Sequence, residues 1–240
     1  MVVKSQIKFI KNLQQKKYRT QNKLFVIEGI KTVKELLEST LKVYKIYVTD
    51  STVLGQNDDF VELISEGDLK KMSGLSTPNK VLGVFHFPVP EQIDFSDWVI
   101  ALDDVRDPGN MGTIIRLCDW FGITNLICSS NSVDCYNPKV LQATMGSISR
   151  VNIVYEDLEQ IFSQMDIPVY GAFMDGTVVY KEQFPKKGVL VMGNEANGVS
   201  KAIENLVDKK ISIPQFGPKT AESLNVATAT AILLNEIRRG

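Results

Sequence analysis

The chain has one histidine, His86, and three cysteines, Cys118, Cys128 and Cys135. A single imidazole excludes a His-rich metal site, and cysteines spaced ten and seven residues apart match no zinc-binding pattern, so no metal is expected. An odd cysteine count without an export signal argues for free thiols, and core or strand packing is the simpler role for all four side chains. No run of about 18 apolar residues occurs, so no membrane-spanning helix is expected. The opening MVVKSQIKFIKNLQQKK has no continuous apolar core and no small-residue cleavage site. It does not read as a secretory signal, and a cytoplasmic location is expected. Two nucleotide signatures are missing as well. Gly-x-Gly-x-x-Gly is absent. Gly193-x-x-x-x-Gly198-Val199-Ser200 approaches a phosphate-binding loop, but Val199 stands where lysine would neutralise the terminal phosphates. Glu195 inside that loop would meet a triphosphate with negative charge, which disfavours an NTPase.

What is present is an ordinary soluble composition, 44% hydrophobic and 23% charged, over 240 residues. That length allows one large domain or two small ones. The net charge of −1 hides an asymmetry: residues 1–34 carry nine Lys/Arg against one acid, Glu28, and the remainder is acidic. A basic segment on an acidic protein suggests an address for a phosphate backbone. Taken alone, such a run more often marks a solvated helix face.

Ile7, Ile10 and Leu13 fall at helical spacing among lysines. Strands are expected at Leu24–Ile27, Val43–Val48 and Val81–Phe87. Helices are expected at 30–37 and, more briefly, around Phe60, Leu63 and Ile64. This makes a small α/β unit over residues 1–90. Pro88 to Asp97 (PVPEQIDFSD) reads as a linker. From residue 97 to 240 strands alternate with helices: Trp98–Leu102, Thr124–Cys128, Val151–Val154, Pro168–Phe173, Val189–Met192 and Ile211–Ile213 are apolar runs. That alternation predicts a mostly parallel sheet covered on both faces. Asn110 is placed to cap a helix over 111–121, and Pro138 to open one reaching Met145. The last helix is apolar on most sides and is expected to be buried. In such sheets ligands sit outside the carboxyl ends of strands, which singles out the loops after Met192 and Ile213.

Three ordered blocks carry a resemblance. They are Asp107-Pro108-Gly109-Asn110-Met111-Gly112-Thr113-Ile114-Ile115-Arg116, Val191-Met192-Gly193-Asn194-Glu195 with Gly198, and Ile211-Ser212-Ile213-Pro214 followed by Glu222-Ser223-Leu224-Asn225-Val226-Ala227. The segment LQATMGSISR lies between the first two. Over the last 145 residues or so the chain resembles the SpoU/TrmH class of SPOUT methyltransferases. Leu24 to Gly29 and Gly74 to Val84 resemble, more loosely, the small RNA-binding domain that precedes many such catalytic domains.

The resemblance implies an α/β fold whose C-terminal SPOUT domain has a parallel sheet and a deep trefoil knot. It implies methyl transfer from S-adenosylmethionine to a ribose 2′-hydroxyl of structured RNA, rRNA favoured over tRNA, by a homodimer joined through the catalytic domain. It assigns the active site to Arg116, Asn110, Glu195, Asn225 and Ser223, and the cofactor to the backbone of Gly193, Ile213 and Leu224. Because a guanidinium keeps its proton, Arg116 suits gripping a phosphate and stabilising oxyanion charge better than acting as a free base. With the basic front segment read as an RNA address, Lys16, Lys17 and Arg19 become candidate RNA contacts. Two other readings compete: a non-catalytic RNA-binding or ribosome-assembly factor on the same fold, and a methyltransferase that modifies a base. The intact Asn110, Arg116, Glu195 and Asn225 set disfavours the first, and the Ser223-Leu224-Asn225 block disfavours the second.

Overall fold

A computed structural model describes residues 2–55, 58–218 and 222–239. In chain order its elements are α1 (Lys4–Asn12), α2 (Lys16–Asn22), β1 (Leu24–Glu28), α3 (Ile30–Leu37), β2 (Val43–Val48), β3 (Val61–Leu63), α4 (Glu66–Met72) and β4 (Val81–His86). There follow β5 (Trp98–Leu102), α5 (Pro108–Trp120), β6 (Asn125–Cys128), α6 (Pro138–Thr144), β7 (Asn152–Tyr155) and α7 (Leu158–Ser163). The chain closes with β8 (Val169–Val178), β9 (Gly188–Met192), α8 (Lys201–Glu204), β10 (Lys209–Ser212) and α9 (Val226–Arg239).

Two compact units result: Met1–Val89 with Asp134–Ser149, and Pro90–Val133 with Arg150–Gly240. The sequence suggests a second domain running unbroken from 97, but segment 134–149, which carries α6, packs in the first unit. Aromatic and ionic contacts account for this. Tyr136 stacks on Phe87 at 4.1 Å and on Phe25 at 5.0 Å between ring centroids. Asp134 takes the guanidinium of Arg19 at 2.6 Å.

In the first unit the strand order is β1-β4-β2-β3. β4 runs antiparallel to β1 and β2, and β3 adds parallel to β2. Ile10 of α1 and Leu13 at its C-cap are buried in one core with Leu24, Val26, Tyr47, Leu82 and Val84, as the helical spacing anticipates. The stretch around Phe60–Ile64 is not a helix. Val61 to Leu63 pair with Ile46 to Val48 as β3, and the helix starts later, where Ser65 Oγ accepts the Asp68 amide at 3.1 Å and caps α4.

Arg19 is not a surface cation. It is 2% exposed and donates through Nη1 to the carbonyls of Leu13 and Gln14 as well as through Nη2 to Asp134. No phosphate can reach it, so it leaves the set of candidate RNA contacts; Lys16 and Lys17, on the same helix, are exposed.

In the second unit the order is β10-β8-β9-β5-β6-β7, with every pairing parallel. β5, β6 and β9 are buried along their whole length, which is why they read as unbroken apolar runs. The stretch before β5 is no slack tether. Glu91 exchanges backbone hydrogen bonds with the Asn152 side chain at 3.1 and 3.0 Å, and Ile93 and Phe95 pack on the core. α9 buries one face, through Val226, Ala227, Thr230, Leu233, Leu234 and Ile237, while Thr228, Asn235 and the terminal arginines are exposed. It packs on α5, and Arg238 ties its end to Asp97 with two bonds of 2.8 Å.

Candidate active site

β5, β9 and β10 all point their carboxyl ends at one cavity of about 980 Å³ in the second unit. The loop after β5 enters α5 with Asp107 as its cap: Asp107 Oδ1 accepts the Asn110 amide at 2.8 Å, and Pro108 fills the first turn. The cap is therefore Asp107, three residues before Asn110. That shift has a chemical consequence, because the Asn110 side chain is left free for the site.

Asn110 Nδ2 donates to Glu195 Oε1 at 3.1 Å, and Asn110 Oδ1 accepts from Asn225 Nδ2 at 2.8 Å. Glu195 also accepts the backbone amides of Asp107 at 3.0 Å and Arg106 at 3.2 Å. Partial burial pushes the Glu195 carboxyl up, but hydrogen bonds, that from Asn110 foremost, outweigh it and hold the group below the usual glutamate range. Glu195 is thus a fixed anion that ties its own loop to the entry of α5, and a poor proton acceptor near neutral pH. Asn225 does two jobs. Its Oδ1 accepts the amides of Ala227 and Thr228 at the start of α9, while its amide holds Asn110. One side chain thus caps α9 and reaches the cavity wall through Asn110.

The 193–198 loop is rigid by construction. Asn194 and Gly198 exchange backbone bonds of 2.9 Å, and Asn194 Nδ2 donates to the Asp104 carbonyl at 2.7 Å. Gly193 is obligatory, since a Cβ there would sit 2.1 Å from the Gly198 carbonyl carbon. Gly193, Ile213, Ser223, Leu224, Asn225, Asn110 and Glu195 all line the cavity. Arg116 does not. It lies on the exposed face of α5 with Gly109, Thr113 and Trp120, and among the described residues its side chain makes no ion pair or hydrogen bond.

Two contributors escape sequence reasoning. Asp103, only 7% exposed, accepts the Ser200 amide at 2.7 Å and so anchors the far end of the Gly193 loop. Phe173 and Met174 of β8 supply cavity wall. The Asp103-Asp104 pair after a buried strand was the one available signal for the first; for the second, alternation in β8 carries none.

The donor set fits an adenosyl cofactor. Met192, Ile211, Ile213 and Leu224 offer apolar walls, and the backbone edge of 193–198 offers amides and carbonyls, beside a carboxylate already engaged by four donors.

Fold and site define a parallel α/β transferase domain whose pocket joins three strand-end loops. Residues 97–235 match the sequence model of the SpoU rRNA Methylase family, and residues 4–83 that of the MRM3-like substrate binding domain. The chain belongs to the SpoU rRNA methylase family, and its class is that of S-adenosylmethionine-dependent RNA 2′-O-methyltransferases. It is 32% identical over 239 residues to the 23S rRNA (guanosine(2553)-2'-O)-methyltransferase RlmP of Bacillus subtilis (strain 168), covering 97% of this chain and 95% of that one. The AdoMet-bound rRNA methyltransferase of Sinorhizobium meliloti is 29% identical with a TM-score of 0.88, covering 100% of this chain and 96% of that one. The SpoU methyltransferase AviRb of Streptomyces viridochromogenes, solved with AdoMet, shares the fold at 23% identity with a TM-score of 0.87, over 99% of this chain and 98% of that one.

Proposed function

We propose that this chain methylates a ribose 2′-hydroxyl of ribosomal RNA and works as a homodimer through its second unit. The observation that carries the reading is the chain of hydrogen bonds Glu195–Asn110–Asn225 across the mouth of the cavity. It fixes three loops in one geometry before any substrate arrives, and positioning of this kind supplies about 7–11 kcal/mol of a displacement barrier.

The backbone of Gly193, Ile213 and Leu224 would hold S-adenosylmethionine, which when bound would supply an electrophilic methyl group. The chain's own residues do the rest. Asn110 and Asn225, each pinned by the other, present polar groups to the ribose. Ser223, on the cavity wall beside Asn225, is a further contact for it. Glu195 stays ionised and orients Asn110 rather than taking the proton. Arg116 keeps its charge and grips a phosphate next to the reacting hydroxyl, where it stabilises the developing oxyanion.

Arg116 stands outside the cavity of its own chain, on an α5 face that also bears Trp120, 82% exposed. A tryptophan in water at such a place supports burial against a second copy, and a dimer on this face brings Arg116 to a site shared by two chains. Exposed Lys16 and Lys17 serve the RNA backbone from the first unit. The deep knot belongs to the same reading: after edge strand β10 the chain returns so that Asn225 meets Asn110. A ribosomal substrate and three free cysteines fit a cytoplasmic site of action. Among the described residues no helix is long and apolar enough to cross a membrane.

The test is incubation with methyl-labelled cofactor and in vitro transcribed 23S rRNA. Label in an alkali-resistant dinucleotide supports the reading. Label on a base, or none, defeats it, and a species of 26.8 kDa in solution defeats the dimer.

A further inference from the structure

The loop between β10 and α9 carries a side chain that the mechanism does not use. Phe216 is 88% exposed, and it follows Gln215, which lines the cavity. Pro214 and Pro218 flank it, and Gln215 Nε2 donates to the Pro218 carbonyl at 3.3 Å. The result is a closed turn, stiffened at both ends by fixed backbone angles, with the ring on its outer side. An aromatic ring in water forgoes the burial that a core position gives it. The cavity lining adds Met174 and Leu224 as further exposed apolar side chains.

We propose that Phe216 is a stacking residue for the RNA, taking the face of an unpaired nucleobase at or next to the methylated nucleotide. This rests on the function proposed above. A nucleobase is the partner the chemistry favours. Presenting one ribose to a recessed pocket takes its nucleotide out of the helical stack and leaves base faces without neighbours. RNA-binding surfaces compensate with aromatic rings, which accept any base because every base has a π-face. Gln215 and Gly217, on either side, are uncharged, so Phe216 itself offers a flat apolar face.

The test uses the full chain with in vitro transcribed 23S rRNA and S-adenosylmethionine, comparing Phe216→Ala, Phe216→Leu and Phe216→Trp by steady-state kinetics and sedimentation. Stacking requires that Ala and Leu raise KM for RNA by roughly tenfold or more, that Trp stays near the unaltered chain, and that KM for the cofactor holds in all three. A Leu variant with unchanged RNA KM overturns the proposal, because leucine is apolar but cannot stack. So does a parallel rise in cofactor KM, which would put the ring in the cofactor pocket, or a change in sedimentation, which would put it in a chain–chain interface. Normal kinetics in Phe216→Ala defeats the stacking role alone. No transfer by the unaltered chain defeats the methyltransferase function, and the stacking role with it.

Discussion

Asn225 donates to Asn110 Oδ1 at 2.8 Å across 115 residues of sequence while its own Oδ1 caps α9. The geometry of the candidate site and the start of the last helix are therefore set by one side chain. Asn225→Ala should cost about 1 kcal/mol for the cap and, by loosening Asn110, reduce kcat by on the order of a hundredfold. Asn225→Asp keeps the cap and loses the donor, so it should restore the melting temperature but not the rate. Thermal unfolding and single-turnover kinetics on the two variants separate these effects.

Glu195 gives a pH signature. Its folded carboxyl is held below the ordinary range by hydrogen bonds from Asn110 and backbone amides, against partial burial. A depressed carboxylate contributes stability that is complete above its unfolded pKa and is lost as pH falls through the lower folded value. The acid limb of the pH–rate profile from this group should therefore lie below 4.5, with none near neutrality. Glu195→Gln should be slow at every pH between 6 and 9, roughly. A profile in which that variant merely shifts its limb would show Glu195 to be a proton acceptor instead.

Gly193 has no room for a methyl group, its Cβ position lying 2.2 Å from the Val199 nitrogen. Gly193→Ala should displace the 193–198 loop and abolish cofactor binding measured by calorimetry, with RNA affinity largely kept. Retained cofactor affinity would remove this loop from the cofactor site.

Arg19 and its lysine neighbours should part company. Arg19→Ala leaves Asp134 without its cation in a largely buried setting, and such losses cost about 3–5 kcal/mol. Lys16→Ala with Lys17→Ala should leave stability intact and flatten the salt dependence of RNA binding by about two counterions. Urea unfolding and filter binding over a salt series give the two readouts.

The three sequence blocks were legible because two of them pair a buried strand with a loop of unusual residues and the first opens a helix with one. Asn110, Glu195 and Asn225 could be picked out, and so could the glycine that packs against backbone. Arg19 could not be placed, since the sequence of a buried guanidinium clasp is the same as that of a basic surface helix until Asp134 is seen beside it. The cap falls at Asp107 and not at the expected Asn110 for a similar reason: both residue types cap helices, and only geometry shows which oxygen faces the amide. Val61 to Leu63 misled because three residues carry too little period to separate strand from helix. The fate of segment 134–149 hangs on tertiary stacking of Tyr136, to which periodicity is blind.

The chain passes from one unit to the other at residues 89/90, 133/134 and 149/150. A single scission near residue 90 would thus not release a whole front module: it would strip away α6 and uncover the rings of Phe25 and Phe87 that Tyr136 overlies. The first unit therefore cannot be exchanged as a cassette without re-cutting the β6–β7 connection, which carries α6.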